Sequence, residues 1–118
     1  MSLYQDLILD HYRNPRNHGE LPHATHSCES SNVSCGDSLR IELIVTDGII
    51  SGICFDGEGC AISQAAASIL TEEIKGKPVE QALGLEPKAF IETLGIPLSP
   101  TRMKCALLSL ETLKKALK

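Results

Sequence analysis

The chain has 118 residues, a length typical of one domain, and 42% of them are hydrophobic, so we expect a single folded unit spanning residues 1–118. Fifteen acidic residues outnumber eleven basic ones, which gives a formal charge of −4, and only four residues are aromatic. Proteins that bind nucleic acids need a basic surface or aromatic side chains on which bases stack, so this composition argues against nucleic-acid binding.

The N-terminus and the cysteine content indicate the compartment and the type of chemistry. Residues 1–6 contain neither the basic nor the apolar segment of a secretory signal, and no stretch of the sequence is apolar enough to span a bilayer. We therefore expect a cytosolic protein without membrane contact, in which thiols stay reduced. An odd number of reduced cysteines indicates metal binding or thiol chemistry rather than a disulfide framework. The five are Cys28, Cys35, Cys54, Cys60 and Cys105.

The first half of the chain predicts one helix followed by strands. Apolar residues at helical spacing indicate a helix over residues 2–13, on which a lone histidine, His11, fits a structural role. Pro15 follows, and the residue before a proline avoids the helical conformation. Residues 23–33 permit a short edge strand. Alternating residues predict a strand over 39–45, a turn at 46–48 and a partner strand over 49–56. One face of that partner would carry Ile49, Ser51, Ile53 and Phe55.

The second half predicts helices. Small residues after Cys60 indicate a helix that ends just beyond Lys75, and shorter helices are predicted at about 79–83 and 87–94. After a break at residues 95–100, the last helix carries an apolar stripe that we expect to face the core. The stripe consists of Met103, Ala106, Leu107, Leu110, Leu113 and Leu117. Strands early in the chain and helices late in it are typical of the α+β class.

Three cysteines lie at junctions between predicted elements. Cys35 lies in a turn with Asp37, Cys60 stands between a Gly-Glu-Gly turn and a helix, and Cys105 lies near the start of the last helix. At a helix start the backbone N–H groups lack partners and the dipole is positive, so a thiol there ionises more easily. If the junctions meet at one edge of the sheet, three thiolates and the Asp37 carboxylate would make a tetrahedral set for Zn²⁺ or an incomplete cage for an iron–sulfur cluster.

Simpler interpretations fit the same residues. A free cysteine is often a buried small hydrophobe, and this interpretation fits Cys54 and Cys28. Asp37 fits an ordinary turn residue. No histidine lies beside the cysteine junctions, and the spacing is not a paired CxxC pattern, so spacing alone identifies no metal.

Five segments of the sequence form a combination that is typical of one family. They are residues 10–17 (Asp-His-Tyr-Arg-Asn-Pro-Arg-Asn), 34–37 (Ser-Cys-Gly-Asp), 57–63 (Gly-Glu-Gly-Cys-Ala-Ile-Ser), 75–77 (Lys-Gly-Lys) and 102–105 (Arg-Met-Lys-Cys). With these segments the chain resembles, over nearly its whole length, the IscU/SufU/NifU N-terminal family of iron–sulfur cluster scaffold proteins. The resemblance implies an α+β fold in which a small antiparallel three-stranded sheet packs against several helices.

The resemblance also implies a site and a function. Cys35, Asp37, Cys60 and Cys105 would form one exposed site that binds iron as a transient [2Fe–2S] cluster, or binds Zn²⁺. Sulfur would arrive as persulfide from a cysteine desulfurase, and the cluster would pass to apo-proteins, so the chain would be a scaffold rather than an enzyme. The alternative is a zinc-dependent sulfurtransferase of the SufU type. In either case Cys35 or Cys105 would accept the sulfur while Cys60 anchors the metal.

The chain departs from each subtype of this family. Lys104 stands where IscU-type scaffolds usually carry a histidine, and residues 98–102 (Leu-Ser-Pro-Thr-Arg) replace their Leu-Pro-Pro-Val-Lys chaperone motif. The second difference argues against recognition by an Hsp70-type chaperone. Lys104 and the Gly-Glu-Gly-Cys-Ala-Ile-Ser segment resemble SufU, whereas the 44 residues between Cys60 and Cys105 match the shorter spacing of IscU. The subtype therefore stays open.

Overall fold

The computed structural model describes residues 3–32, 36–95 and 97–118. Within these ranges the elements are α1 (Leu3–Arg13), β1 (His26–Asn32), β2 (Asp37–Thr46), β3 (Ile49–Glu58), α2 (Ala61–Ile74), α3 (Val79–Leu83), α4 (Pro87–Leu94) and α5 (Pro100–Leu117). The α+β class predicted from the sequence is confirmed. None of the described helices combines the length and the apolar character needed to cross a membrane.

The three strands form an antiparallel sheet in the order β1-β2-β3, as the resemblance implied. Asp47 and Gly48 connect β2 to β3 with φ angles of 52° and 77°. A two-residue hairpin with both φ angles positive has a twist that matches the twist of the flanking strands. The weakly predicted edge strand exists as β1, whose side chains alternate between half-buried and exposed.

A bulge in β3 makes one prediction of strand orientation wrong. The register between β2 and β3 shifts at Ile44 and Val45, which leaves Ser51 as an extra residue on β3. An extra residue reverses the alternation of side chains on its strand. Ile50 is consequently buried, whereas Ile49 and Ser51, predicted to share the face of the buried Ile53 and Phe55, are exposed.

One face of the sheet packs against α2 and α5 to form the core. The middle of α2 carries Ala65, Ala66 and Ala67, all fully buried, and side chains this small let the helix lie close to its neighbours. The remaining core is aliphatic with two phenylalanines. Its largest fully buried side chains are Phe55, Phe90, Leu39, Ile41, Leu43, Ile50, Ile53, Leu70, Ile74, Leu94, Leu110 and Leu113.

The buried face of α5 contains the predicted stripe apart from Met103, but it is wider than predicted. The stripe residues that are buried or packed against the core are Ala106, Leu107, Leu110, Leu113 and Leu117. Met103 is 40% exposed, while Cys105, Ser109 and Thr112, which lie off the predicted stripe, are buried. The hydroxyls of Ser109 and Thr112 donate to carbonyls one helical turn earlier, at 3.4 and 2.7 Å. Because these bonds satisfy the polar groups inside the helix, this face can enter the core, and it carries Cys105 inward with it.

Hydrogen bonds from the end of α1 and from the segment after it hold α1 against α2. His11 is 3% exposed, and its Nδ1 lies 2.7 Å from Ser68 Oγ. Ser68 Oγ also accepts a hydrogen bond from the backbone N–H of Arg16 at 2.9 Å. Asn17 Nδ2 donates to Thr71 Oγ1 at 3.2 Å. These contacts give residues 10–17 a structural role, and they agree with the structural interpretation of His11.

Because the imidazole of His11 is buried, we expect the free energy of unfolding to decline in mild acid. Burial, together with the Arg16 guanidinium, lowers the pKa of His11 from its ordinary value of 6.5, although Glu72 and Asp10 act in the opposite direction. The unfolded chain therefore takes up the proton first as the pH falls. The stabilisation is fully present above the unfolded-state pKa of about 6.5 and is lost as the pH falls toward the folded-state pKa.

Urea unfolding of the wild type and of His11→Gln at about pH 7.5 and pH 5.5 checks this prediction. The midpoint of the wild type should fall more between the two pH values than the midpoint of His11→Gln. The same substitution at the exposed His23 should leave the wild-type decline unchanged. If the decline is as large in His11→Gln as in the wild type, another group is responsible for it.

Candidate metal centre

Two of the predicted site residues stand at neighbouring ends of elements. Asp37 is the first residue of β2, and Cys60 is the residue that caps the N-terminus of α2. Ser38 pairs with Glu58 across the sheet, so the start of β2 lies beside the end of β3. The chain needs only Gly59 between β3 and Cys60, and the register of the sheet therefore places Cys60 next to Asp37.

Asp37 and Cys60 are joined by a hydrogen bond. The backbone N–H of Cys60 donates to Asp37 Oδ1 at 2.9 Å, and the Cys60 sulfur lies 4.0 Å from Asp37 Oδ2. The Cys60 side chain makes no capping hydrogen bond to α2, although Cys60 occupies the capping position. Its thiol faces the Asp37 carboxylate instead, and the same carboxylate holds the turn in place through the Cys60 N–H.

Cys105 completes a cluster of three potential metal ligands. One ligand atom from each of Asp37, Cys60 and Cys105 lies within 4.8 Å of the other two. Two thiolates that bind one tetrahedral Zn²⁺ at about 2.3 Å are about 3.8 Å apart, so small side-chain movements suffice to bring these atoms onto one ion. The donor set also fits, because thiolates and carboxylates are both common zinc ligands. Among the described residues, no other group of three such side chains is this close.

Cys35, the fourth predicted ligand, lies outside the described residues. It precedes Asp37 by two positions in the sequence, and Gly36 between them has a φ of 70°. That value lies in the left-handed region that glycine adopts without strain. The place of Cys35 in a four-ligand set therefore stays a prediction.

The described part of the site is more buried than the resemblance implied. Asp37 is 1% exposed and Cys105 is 2% exposed, whereas Cys60 is half-buried. The expectation of one exposed site is therefore wrong for Asp37 and Cys105 in this conformation. The cause is the orientation of α5, whose inward face carries Cys105 against the edge of the sheet. Of the three clustered ligands, Cys60 is the one that solvent reaches most easily.

The two glycines before Cys60 are needed for close packing. A Cβ atom on Gly57 would overlap the Ser38 carbonyl oxygen, and a Cβ atom on Gly59 would overlap Asp37 Oδ1 and the hydroxyl of Ser63. From the sequence, these glycines are expected only to form a turn before Cys60. The structure adds that Gly59 leaves room for the carboxylate, and it identifies Ser63, which the sequence analysis did not single out.

The two remaining cysteines lie outside the cluster, and the interpretation as a small hydrophobe packed on the core agrees with Cys28 but not with Cys54. Cys54 is half-buried on β3, where burial raises the pKa of its thiol against the opposing effect of the Lys75 ammonium. Cys28 is half-buried on β1 and packs against the core. A thiol with a raised pKa is a poor nucleophile and a poor metal ligand at neutral pH.

Comparison with protein families agrees with this geometry. Residues 3–118 match the family model described as the NifU-like N terminal domain. The chain is 39% identical to the zinc-dependent sulfurtransferase SufU of Bacillus subtilis, over 97% of this chain and 88% of that protein. It is 36% identical to the iron–sulfur cluster assembly scaffold protein IscU of Thermotoga maritima, over 98% of this chain and 93% of that protein.

Solved structures give the same result. A crystal structure from Fervidobacterium islandicum, assigned as an iron–sulfur cluster assembly scaffold protein for the SUF system, has a TM-score of 0.80. It is 29% identical in sequence, and the match covers 100% of this chain and 96% of that one. The N-terminal part of a NifU-like protein from Brucella abortus, at 18% identity and a TM-score of 0.77, shares the fold. The chain therefore belongs to the NifU-like N-terminal domain family, together with the SufU and IscU proteins.

Proposed function

We propose that the chain is a scaffold on which an iron–sulfur cluster is assembled and from which the cluster passes to apo-proteins. The observation that carries the proposal is the convergence of Asp37, Cys60 and Cys105 within 4.8 Å at one edge of the sheet. The identity to IscU scaffolds over nearly the full chain supports the same function. Cys35, two residues before Asp37, would supply the third thiolate.

The mixed ligand set suits a protein that releases what it binds. Iron and sulfide, as a [2Fe–2S] cluster, are the cargo, and thiolates of Cys35, Cys60 and Cys105 hold them. A hard carboxylate binds such a cluster less tightly than a fourth thiolate would. Asp37 also has an alternative partner, the Cys60 N–H, which already occupies one of its oxygens. The Asp37 carboxylate is therefore the ligand that leaves first.

Sulfur transfer requires a thiolate that can reach a donor. A cysteine desulfurase carries the sulfur as a persulfide, and a thiolate of Cys35 or Cys105 attacks its outer sulfur. The S–S bond of the donor breaks, a new S–S bond forms on the scaffold, and the donor leaves as a thiolate. Cys105 is 2% exposed, so acceptance there requires α5 to move at its N-terminal end. Persulfide found chiefly on Cys60 would contradict the proposed role of Cys60 as an anchor.

A zinc-dependent sulfurtransferase is the second candidate function. It is favoured by 39% identity to the sulfurtransferase SufU and by Lys104 directly before Cys105. In this case the same four side chains would hold Zn²⁺, and one of the thiolates, that of Cys35 or Cys105, would accept the outer sulfur of the persulfide. The ligands are shared by both functions, so only the product of the reaction separates them.

One reconstitution experiment distinguishes the two functions. The purified protein is incubated anaerobically with ferrous iron, cysteine and a cysteine desulfurase, and its visible spectrum is followed. Absorption of a [2Fe–2S] cluster that moves to an apo-ferredoxin supports the scaffold. Tightly bound zinc, strong stimulation of desulfurase turnover and no transferable cluster support the sulfurtransferase. Zinc that resists exchange, with neither activity, would contradict both functions and indicate a structural site.

If Asp37 is the ligand that leaves first, replacing it should make the protein retain the cluster longer. Asp37→Ala should hold a reconstituted cluster longer and transfer it to apo-ferredoxin severalfold more slowly, because the variant lacks the carboxylate whose departure toward the Cys60 N–H begins release. The control is Asp6→Ala, an exposed residue of α1, which should transfer at the wild-type rate. Faster transfer from Asp37→Ala would show that the carboxylate retains the cargo rather than releases it.

A further inference from the structure

Ser63 is a buried hydroxyl beside the metal ligands to which neither the sequence nor the proposed function gives a role. It lies in the first turn of α2 and is 3% exposed. A Cβ atom on Gly59 would overlap both Ser63 Oγ and Asp37 Oδ1. The two oxygens therefore converge on the same point beside Gly59, one from α2 and one from β2.

The present hydrogen bond of Ser63 is dispensable. Ser63 Oγ donates to the Cys60 carbonyl at 3.0 Å, but that carbonyl also accepts the backbone N–H of Gln64 at 3.2 Å. If the Ser63 hydroxyl turned away, the carbonyl would keep its helical partner and no buried acceptor would be left unsatisfied. A serine hydroxyl has one proton to donate and can redirect it by rotation. Ser63 can consequently serve a second acceptor without cost to α2.

We propose that Ser63 is a positioning residue for Asp37, and that its hydroxyl donates to the Asp37 carboxylate when this carboxylate leaves the metal. The inference rests on the proposed function only in that Asp37 binds a metal at this site. A carboxylate released into a buried site needs donors to replace the lost metal contact. The Cys60 N–H supplies one donor at 2.9 Å, and the Cys60 thiol lies 4.0 Å from the other oxygen, a weak donor that Ser63 would supplement. Ser63 thereby favours the released state and speeds the departure of the cargo.

Zinc release measures this effect without a desulfurase or a cluster. Wild type and Ser63→Ala are loaded with Zn²⁺, and transfer to a chromophoric chelator in excess is timed. Ser63→Ala should release zinc severalfold more slowly, because the free carboxylate has lost a donor. Ser63→Thr, which keeps the hydroxyl, should restore the wild-type rate. The visible spectrum of the Co²⁺-loaded proteins should be the same, since the metal-bound ligands are unchanged.

Ser109 offers a matched control. It is also a buried serine whose hydroxyl donates to a carbonyl three residues earlier in its own helix, at 3.4 Å. Ser109→Ala should therefore release zinc at the wild-type rate. Equal slowing in Ser63→Ala and Ser109→Ala, or an unchanged or faster rate in Ser63→Ala, would overturn the proposal.

Two further comparisons complete the experiment. If Ser63→Ala does not fold, Ser63→Thr and Ser63→Val provide a pair of the same shape with and without the hydroxyl. Slow release confined to Ser63→Val supports the proposal, and equal rates overturn it. If zinc binds equally well to the wild type and to Asp37→Ala, Cys60→Ser and Cys105→Ser, the metal site itself is wrong. If the ligand variants do lose zinc affinity but Ser63→Ala releases zinc at the wild-type rate, only the role of Ser63 is rejected.

Discussion

The variant Cys105→Ser is expected to lose about two orders of magnitude in Zn²⁺ affinity. Structural zinc sites bind with apparent free energies of about 10–16 kcal/mol, which is roughly 3 kcal/mol for each of four ligands, or about 100-fold in affinity. A serine hydroxyl has nearly the size of the thiol but does not ionise at neutral pH, so it does not replace a thiolate. The affinity is measured by competition with a chelator of known strength.

Cys54→Ser is the matched control for this experiment. Cys54 is a half-buried thiol on β3 that lies outside the ligand cluster. Its substitution should leave the zinc affinity at the wild-type value. An equal loss in Cys54→Ser and Cys105→Ser would show that affinity reports general destabilisation. Full affinity in Cys105→Ser would remove Cys105 from the site, and the cluster with Asp37 and Cys60 would then be a coincidence of packing.

Local sequence patterns were sufficient to predict the elements, but not the faces they present. The strand over 49–56 was predicted from alternation, and β3 does occupy Ile49–Glu58. A prediction from alternation assumes that the strands pair without a bulge, however. The extra residue Ser51 reverses which face of β3 the residues before it occupy. The predicted stripe on α5 does face the core, except at Met103, which is 40% exposed. Apolar spacing missed that the buried face is wider, because the hydroxyl of Ser109 is satisfied by the backbone of its own helix and this side of α5 is buried as well.

The sequence was sufficient to predict those parts of the site that lie where a strand or a helix begins or ends. Cys60 and Asp37 could be placed together because a strand end and a helix start can meet at one sheet edge, and the register of β2 and β3 brings them there. The burial of Cys105 could not be predicted, because it depends on the rotation of α5. Ser63 gave no sequence signal either, since its relation to Asp37 exists only through the gap left at Gly59.

The second large effect is expected at Gly57, which pairs with Leu39 on β2, two residues after Asp37. A Cβ atom there would overlap the Ser38 carbonyl oxygen and lie 2.9 Å from Leu39 Cα, and the residue has a φ of 154°. Both obstacles are backbone atoms of the neighbouring strand, so no side-chain rotation relieves the overlap. We expect Gly57→Ala to lower the free energy of unfolding by about 3 kcal/mol or more, from overpacking and backbone strain together.

Gly52→Ala separates this steric effect from the general preference of strands for residues other than glycine. Gly52 lies in the same strand, and a Cβ atom there would make ordinary contacts of 3.6 Å with the side chains of Ile44 and Leu21. Its urea midpoint should therefore stay near or above that of the wild type, while the midpoint of Gly57→Ala falls. Because Ser38 directly follows Asp37, the strand shift in Gly57→Ala should also weaken zinc binding. If the urea midpoints of Gly57→Ala and Gly52→Ala were equal, the close strand contact at Gly57 would not contribute to stability. It would then not be the contact that holds Asp37 beside Cys60.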